Sequence, residues 1–559
     1  MKSLQSINFY FIKYKWRLLL GALFVVLSSV FSIYQGKVVG DATNQIVALI
    51  SKHETIESSV FITFGITLLG LALASGFFLF LMRQTLIVMS RFIEYDQKNE
   101  MYTHYQTLDA AFYKNNSTGD LMNRISEDVG KVRMYTGPAI MYIINTFATV
   151  VIALLFMINI NWKLTLLVFA PLPILAFIIY RVSDLINKRS TIVQQELSKL
   201  TSHTQETFSA IRVIKAYARE THYVNELETL NTNYKTQSLR LTLVEALFHP
   251  VMVLMIGLSV IATVWFGGRL VIGDIVEPGD ITAFITFVYK LTWPFASLGW
   301  VTSLIQRASA SQTRIDEFLN TKSTIINTPE VNTAIIGNIE FKDVSFTYSD
   351  SGIQALSHFN LVIEKGKTIG IKGQIGTGKS TIANLMTRLY DVTSGDILID
   401  GISIKKRDLY ALRQSIGYVP QEVFLFSDTI KNNIAFSTNH QYTDEEIKQA
   451  AKDAGVYDNI MAFPDQFETV VGERGITLSG GQKQRISIAR AIISKPQILI
   501  FDDCLSAVDV ETEELILNNL KSIMKDKTTI IISHRDSALR YADSVIELGA
   551  QLPNAEGTE

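Results

Sequence analysis

Apolar residues are grouped in two different ways along this chain. Before about residue 310 they form runs of about 20, the length an α-helix needs to cross the roughly 30 Å hydrocarbon layer of a bilayer. Leu18–Tyr34, Val60–Met82, Ala139–Ile158, Leu164–Tyr180, Val251–Phe266 and Ile281–Ile305 qualify, which predicts about six spans. From about Asn338 the runs shorten into β-rich stretches separated by glycine, beginning with Ile339–Tyr348. The pattern divides the chain into a membrane domain over 1–320, a linker over 321–337 and a second domain over 338–559.

Basic residues orient the spans. Lys13, Lys15 and Arg17 precede the first run and place the N-terminus in the cytoplasm. The loop Ser51–Ser59 sets Glu54 and Glu57 against Lys52 and reads as external, whereas Arg83–Arg133 and Arg181–Arg240 are long, basic and amphipathic and read as cytoplasmic. An even number of spans returns the C-terminus to the cytoplasm. The first run is no cleaved signal peptide, being too long, without a small-residue cleavage site, and followed by further spans.

Both cytoplasmic stretches have little Gly or Pro and apolar residues at helical spacing, so helices continue well out of the membrane. Each carries something at its tip. Asp109–Tyr113 leads to Ser117–Asp120 and Leu121–Ile125, with Ser117 or Thr118 as a cap signal; Ala210–Tyr217 with Arg219 and Glu220 forms the second tip.

Composition narrows the field. The chain has 559 residues, 48% of them hydrophobic, and its 51 basic and 53 acidic residues leave a net charge of −2, which argues against a nucleic-acid partner. A single Cys excludes an intramolecular disulfide and a zinc site with two or more thiolates. That residue, Cys504, is expected to be a small packing group.

The strongest chemical signal is Gly373-Gln374-Ile375-Gly376-Thr377-Gly378-Lys379-Ser380, between a predicted strand at 368–372 and a predicted helix at 381–389. Its glycines let backbone N–H groups approach phosphates, and the helix that follows, from Thr381, adds the positive end of its dipole. Lys379 is placed for the β- and γ-phosphates and Ser380 for Mg²⁺. Gln497–Phe501 reads as a buried strand ending in Asp502 and Asp503, with Asp502 the metal-side carboxylate. His534 closes another such strand and is placed to meet the γ-phosphate.

Between these lies Leu478-Ser479-Gly480-Gly481-Gln482, with Lys483 to Arg485 opening a helix. With this string the chain resembles an ABC exporter half-transporter along nearly its whole length. The resemblance is carried also by Val419-Pro420-Gln421 as the Q-loop, Val471–Gly475 before the signature, Ser506–Asp509 as the D-loop, and Tyr348 where the family stacks an aromatic on adenine. It implies a membrane α-helical exporter domain joined to an α/β P-loop ATPase in the cell membrane. Two ATPase domains would pair head to tail, each ATP held between one phosphate loop and the other's signature, so that Ser479, Gly480, Gly481 and Gln482 serve the partner's nucleotide. The implied cofactors are ATP and Mg²⁺, with Ser380, Gln421 and Asp502 around the metal. The tips near 112–124 and 211–220 look like coupling helices, which transmit closure of the ATPase pair to the spans. A soluble ABC ATPase of DNA repair or translation is excluded by the spans.

Two departures matter. Most family members place Glu after the metal-side Asp, where it polarises the attacking water; here that position is Asp503, whose carboxylate is drawn back by about an ångström, a misplacement worth about a hundredfold in a positioned reaction. Heterodimeric exporters pair a half with a weakened carboxylate and an intact signature with a half of the reverse kind, and this chain resembles the former. Glu277–Asp280, Trp293-Pro294, Gly299-Trp300, Gln306-Arg307 and Ser309–Ile315 also look like halves of heterodimeric multidrug exporters. The second departure follows Ser544–Leu548, where the family continues through another strand and a terminal helix and this chain has a polar tail, so some peripheral structure is expected to be missing. Pro294 is expected to kink the last span, and Lys290 beside it either faces a cavity or counter-charge or snorkels outward.

The expected function is therefore ATP-driven export of small amphiphilic or hydrophobic compounds through the lipid bilayer, as half of a heterodimer with a second half-transporter. The alternatives are a homodimeric lipid or peptide exporter with two equal sites, and a regulatory half that holds nucleotide.

Overall fold

The computed structural model describes residues 2–53, 58–331, 333–374, 376–436, 440–472, 475, 478–505 and 510–549. The chain divides into two compact units, Met1–Tyr105 with Gly119–Thr321 and Gln106–Thr118 with Lys322–Glu559. The tip of the first cytoplasmic extension thus belongs with the soluble unit. The expected external acidic pair Glu54 and Glu57, the D-loop Ser506–Asp509, Glu473 and Arg474 before the signature, and the tail from 550 on lie outside the described residues.

Helices occupy every predicted span and outrun it. In chain order they are α1 (Lys15–Ser51), α2 (Ser58–Thr107), the short α3 (Ala110–Asn115), α4 (Thr118–Ile160), α5 (Trp162–Ser209), the short α6 (Ile211–Ala216), α7 (Glu220–Ile272) and α8 (Pro278–Leu319). At 1.5 Å per residue, the 53 residues of α7 reach about 80 Å, more than twice the hydrocarbon thickness. Single π turns at Arg83–Ile87, Arg124–Asp128 and Tyr135–Ala139 interrupt α2 and α4.

The last helix of the membrane unit lies in its core: Phe284, Phe287, Val288 and Leu291 are fully buried. Its start is over-determined. Pro278 supplies a helical φ at the first position, and Glu277 and Asp280 close a reciprocal capping box. Gly279 matters for another reason, because a Cβ there would strike the carbonyl of Gly40 and the side chain of Asn44. Its N–H donates to Asn44 Oδ1 at 2.5 Å, so α1 and α8 meet backbone to backbone at this point. Farther along, α8 runs on through Pro294, which has no N–H for the Lys290 carbonyl. The Lys290 ammonium turns to α1 and donates to Ser32 Oγ at 2.8 Å and Gln35 Oε1 at 3.1 Å. Neutral acceptors on a neighbouring span hold it, where the sequence left a cavity, a counter-charge or the membrane surface open.

The soluble unit is built on two sheets. β1 (Ile339–Thr347), β2 (Gln354–Ile363), β4 (Ser394–Ile399) and β5 (Ile402–Ser403) form an antiparallel sheet in the order β2-β1-β4-β5. β3 (Thr368–Gly373), β6 (Ile416–Val419), β7 (Ile498–Asp502), β8 (Thr528–Ile532) and β9 (Ser544–Leu548) form a parallel sheet in the order β6-β7-β8-β3-β9. Every residue of β7 and β8 is buried, as central parallel strands require. Ile371, Ile382, Ile397, Ile500 and Ile532 share a core between the sheets. A second core, including Leu425, Ile434, Ile460 and Ile488, lies beneath the helical segment that carries the signature.

Candidate functional site

Parallel strands point their C-terminal ends the same way, and β6, β7, β8 and β3 are neighbours, so the segments following them gather at one edge. After β3 comes the phosphate loop. Gly376 and Gly378 both have φ of +86°, a conformation that only glycine adopts without strain, and a Cβ on Gly378 would run into the Ala355 carbonyl. Thr377 is buried and donates to the Gln374 carbonyl at 2.9 Å, which closes the turn. Gly378 serves as the N-cap of α9 (Lys379–Met386). That helix starts two residues before the expected Thr381 and ends before Leu389, because the left-handed glycine lets Lys379 enter the first turn directly. Lys379 Nζ donates to the carbonyls of Gly373 at 2.8 Å and Gln374 at 2.5 Å. A phosphate oxygen competes well for this ammonium, since a bond between two charged groups is about twice as strong as one to a neutral carbonyl.

Ser380 Oγ donates to Asp502 Oδ1 at 3.1 Å. Burial, reinforced by the neighbouring Asp503 charge, pushes the Asp502 carboxyl above its ordinary range. A carboxylate so placed favours a cation, and a hydroxyl beside a carboxylate is the hard-oxygen donor set that suits Mg²⁺. Among the described residues no group of three or more His, Cys, Asp or Glu could hold a metal, so such an ion would rely on the expected Ser380, Asp502 and Gln421 and on oxygens of its substrate.

Asp503 follows β7 with φ of +45°, and its N–H is held by the Ile532 carbonyl. Its carboxylate lies between two other candidate site residues, a pairing the sequence did not indicate: His534 Nδ1 is 3.1 Å from Oδ1, and Gln421 Nε2 is 3.4 Å from Oδ2. The structure thus brings Gln421, Asp503 and His534 together. Cys504 beside them is buried, and burial pushes its thiol far up, in keeping with a packing role.

The signature is a helix start. Ser479 caps α10 (Gly480–Ile493): Ser479 Oγ accepts from the Gln482 N–H at 3.3 Å, and Gln482 Oε1 accepts from the Ser479 N–H at 3.0 Å. Gly480 beside this cap is exposed at the positive end of the helix, suited to an anion. Among the described residues Ser479, Gly480, Gly481 and Gln482 make no hydrogen bond or ion pair to the phosphate loop, Asp502, Asp503, Gln421 or His534. Farther along α10, Arg490 donates to the carbonyls of Asn433 at 2.7 Å and Phe424 at 2.9 Å, fastening the signature helix to the segment that follows Gln421.

Tyr348 ends β1. Its hydroxyl lies 3.0 Å from Thr381 Oγ1, and its ring meets Phe346 and Tyr390 edge-on at 4.8 and 5.5 Å. Sequence reasoning missed a further neighbour, Lys114 of α3, whose ammonium lies 4.1 Å from the Tyr348 ring centre and 2.9 Å from Asp350. No local signal could have joined residues so far apart in the chain.

Asp109 holds α3 in place. Its Oδ1 caps the helix at the Phe112 N–H, 3.0 Å away, and its Oδ2 accepts from Thr324 N and Thr324 Oγ1, each at 2.6 Å. Although partial burial works the other way, these hydrogen bonds and one from Ser323 hold the carboxyl below its ordinary range. A depressed carboxylate contributes its full stabilisation above the unfolded pKa of about 4 and loses it as pH falls through the lower native value. Asp109→Ala is expected to cost about 1 kcal/mol of helix stability and to speed amide exchange over residues 110–115, as measured by mass spectrometry at neutral pH.

Comparison with known proteins gives the same picture. Residues 18–295 match the family described as ABC transporter transmembrane region, and residues 356–506 the family described as ABC transporter. The multidrug resistance-like ATP-binding protein MdlA of Escherichia coli is 32% identical over 548 residues, covering 98% of this chain and 92% of its own. An ATP-dependent lipid A-core flippase of Desulfotalea psychrophila is 34% identical over 453 residues, 81% of this chain and 79% of its own. A solved structure of a bacterial Atm1-family ABC exporter with ATP bound shares the fold at a TM-score of 0.77 and 23% identity, over 96% of this chain and 93% of that one.

Proposed function

The chain belongs to the ABC transporters, as a half-transporter that fuses the membrane region to the ATPase, and from that premise we propose that it works as one half of a heterodimer exporting small amphiphilic compounds. Its established part is coarser: it is a multi-pass membrane exporter whose cytoplasmic ATPase domain couples ATP hydrolysis to transport. The finer reading rests on Asp503. This shorter carboxylate, tied to both Gln421 and His534, sits where the family's water-polarising Glu is expected, so the chain's own phosphate loop turns over slowly. The signature at Ser479–Gln482 is intact and completes the partner's site.

In this mechanism Tyr348 stacks on the base. Backbone N–H groups of Gly373, Gln374, Gly376, Thr377, Gly378, Ser380 and Thr381 cradle the phosphates, and Lys379 exchanges its two carbonyls for phosphate oxygen. Ser380, Asp502 and Gln421 would hold Mg²⁺, which supplies neutralisation of the phosphate charge when bound. His534, oriented by Asp503, holds the terminal phosphate.

The need for a second chain has support in α6. Phe208, Val213 and Tyr217 around it are 72, 59 and 76% exposed, an apolar end suited to docking on the second ATPase domain that this reading calls for. The second reading, a homodimeric lipid exporter, is favoured by the likeness to the lipid A-core flippase. Steady-state ATPase of the chain purified alone in lipid separates the two. Near-zero activity is expected; substantial turnover by the chain alone would overturn the heterodimer and give the homodimer the lead. A third reading, a regulatory half, predicts nucleotide that survives long washing.

A further inference from the structure

We propose that Lys114 positions the nucleobase platform, so that base stacking on Tyr348 and seating of α3 on the soluble unit form one linked equilibrium. The inference rests on the reading that Tyr348 stacks on the base. Lys114 carries the first cytoplasmic tip onto that platform: its ammonium stands 4.1 Å from the ring centre and is held by Asp350 at 2.9 Å. The opposite end of the platform is fixed too, since the Tyr348 hydroxyl lies 3.0 Å from Thr381 Oγ1 in the first turn after the phosphate loop. A continuous series of contacts therefore runs from α3 through the aromatic ring to the helix that carries Lys379 and Ser380.

A purely structural role accounts poorly for this arrangement. Anchoring of α3 is already provided by Asp109, with its helix cap and its short bonds to Thr324, whereas an exposed Lys–Asp pair contributes little to stability. What the pair does geometrically is hold a cation against one particular ring. Phe346 and Tyr390 meet that ring edge-on, which leaves its pitch to Lys114 on one side and Thr381 on the other. A cavity lined by Ala111 and Lys114 from α3 and by Tyr348, Asp350 and Tyr390 from the soluble unit opens at the same place. By linkage, a base that stabilises one pitch of Tyr348 also stabilises the seat of α3, and loss of the Lys114 contact weakens the base.

The test uses the full chain in lipid and compares binding of a non-hydrolysable Mg-ATP analogue, which has a base, with Mg-tripolyphosphate, which has none. Lys114→Gln is expected to weaken the analogue about two- to fivefold and to leave tripolyphosphate unchanged, while Lys114→Arg keeps the wild-type ratio. Amide exchange over residues 110–115 is expected to slow with the analogue but not with tripolyphosphate in the wild type, and with neither in Lys114→Gln. An equal shift for both ligands, or none for either, overturns the proposal. Tyr348→Leu separates the levels: if it leaves the ratio of the two affinities unchanged, base stacking on Tyr348 fails and the inference with it. If it lowers that ratio and Lys114→Gln does not, only the inference fails.

Discussion

Gly481→Glu is expected to lower ATP turnover of the assembled transporter by at least about a hundredfold while leaving MgATP binding at this chain's own phosphate loop intact. The new carboxylate would fall in the first turn of α10, beside the Ser479 cap. Acidic side chains are welcome at a helix start, so the domain should fold as before. The same charge, however, would occupy the positive end that an incoming phosphate needs, and repulsion replaces attraction at the step where charge develops. The outcome does not depend on whether the partner is a second copy or a different half. Retention of more than a tenth of the turnover would remove the signature from the catalytic pair.

Asp503→Glu is expected to raise the steady-state ATPase of the chain purified alone by about ten- to a hundredfold, because it restores the reach that positioned water activation requires. The structure adds a cost to this substitution. Asp503 has a positive φ of +45°, which Asp and Asn tolerate better than Glu does, so the variant should lose about 1 kcal/mol of stability. That penalty is small against the rate effect, and thermal unfolding measured beside the ATPase assay separates them. Asp503→Asn has the opposite meaning in the heterodimer: turnover should fall only modestly, because hydrolysis runs mainly at the partner's carboxylate. A collapse of turnover in Asp503→Asn would falsify the asymmetric pair.

Much of the architecture was legible because its signals are local. Runs of apolar residues marked the six spans, and the five-residue buried strand Ile498–Asp502 showed as a short apolar stretch ending in carboxylates. The loop at Gly373–Ser380 was legible through its glycines, two of which do adopt positive φ. The first residue of the following helix was misplaced, because Gly378 caps it in a conformation that ordinary capping preferences do not anticipate. What stayed hidden depends on partners distant in sequence. Lys290 gave no sign of Ser32 and Gln35, and Lys114 gave none of Tyr348, since both pairings are decided by how helices and sheets pack. The π turns within α2 and α4 were equally silent, because apolar periodicity tolerates one extra residue without visible change.

The contact between Gly40 and Gly279 has a mechanical side. Two helices that touch through bare backbone, with Asn44 tied across the joint, cannot slide past each other without breaking a hydrogen bond and opening a gap that no side chain is there to fill. Any opening that parts the first and last spans at this end must first break the bond between Gly279 and Asn44 and separate the two backbones.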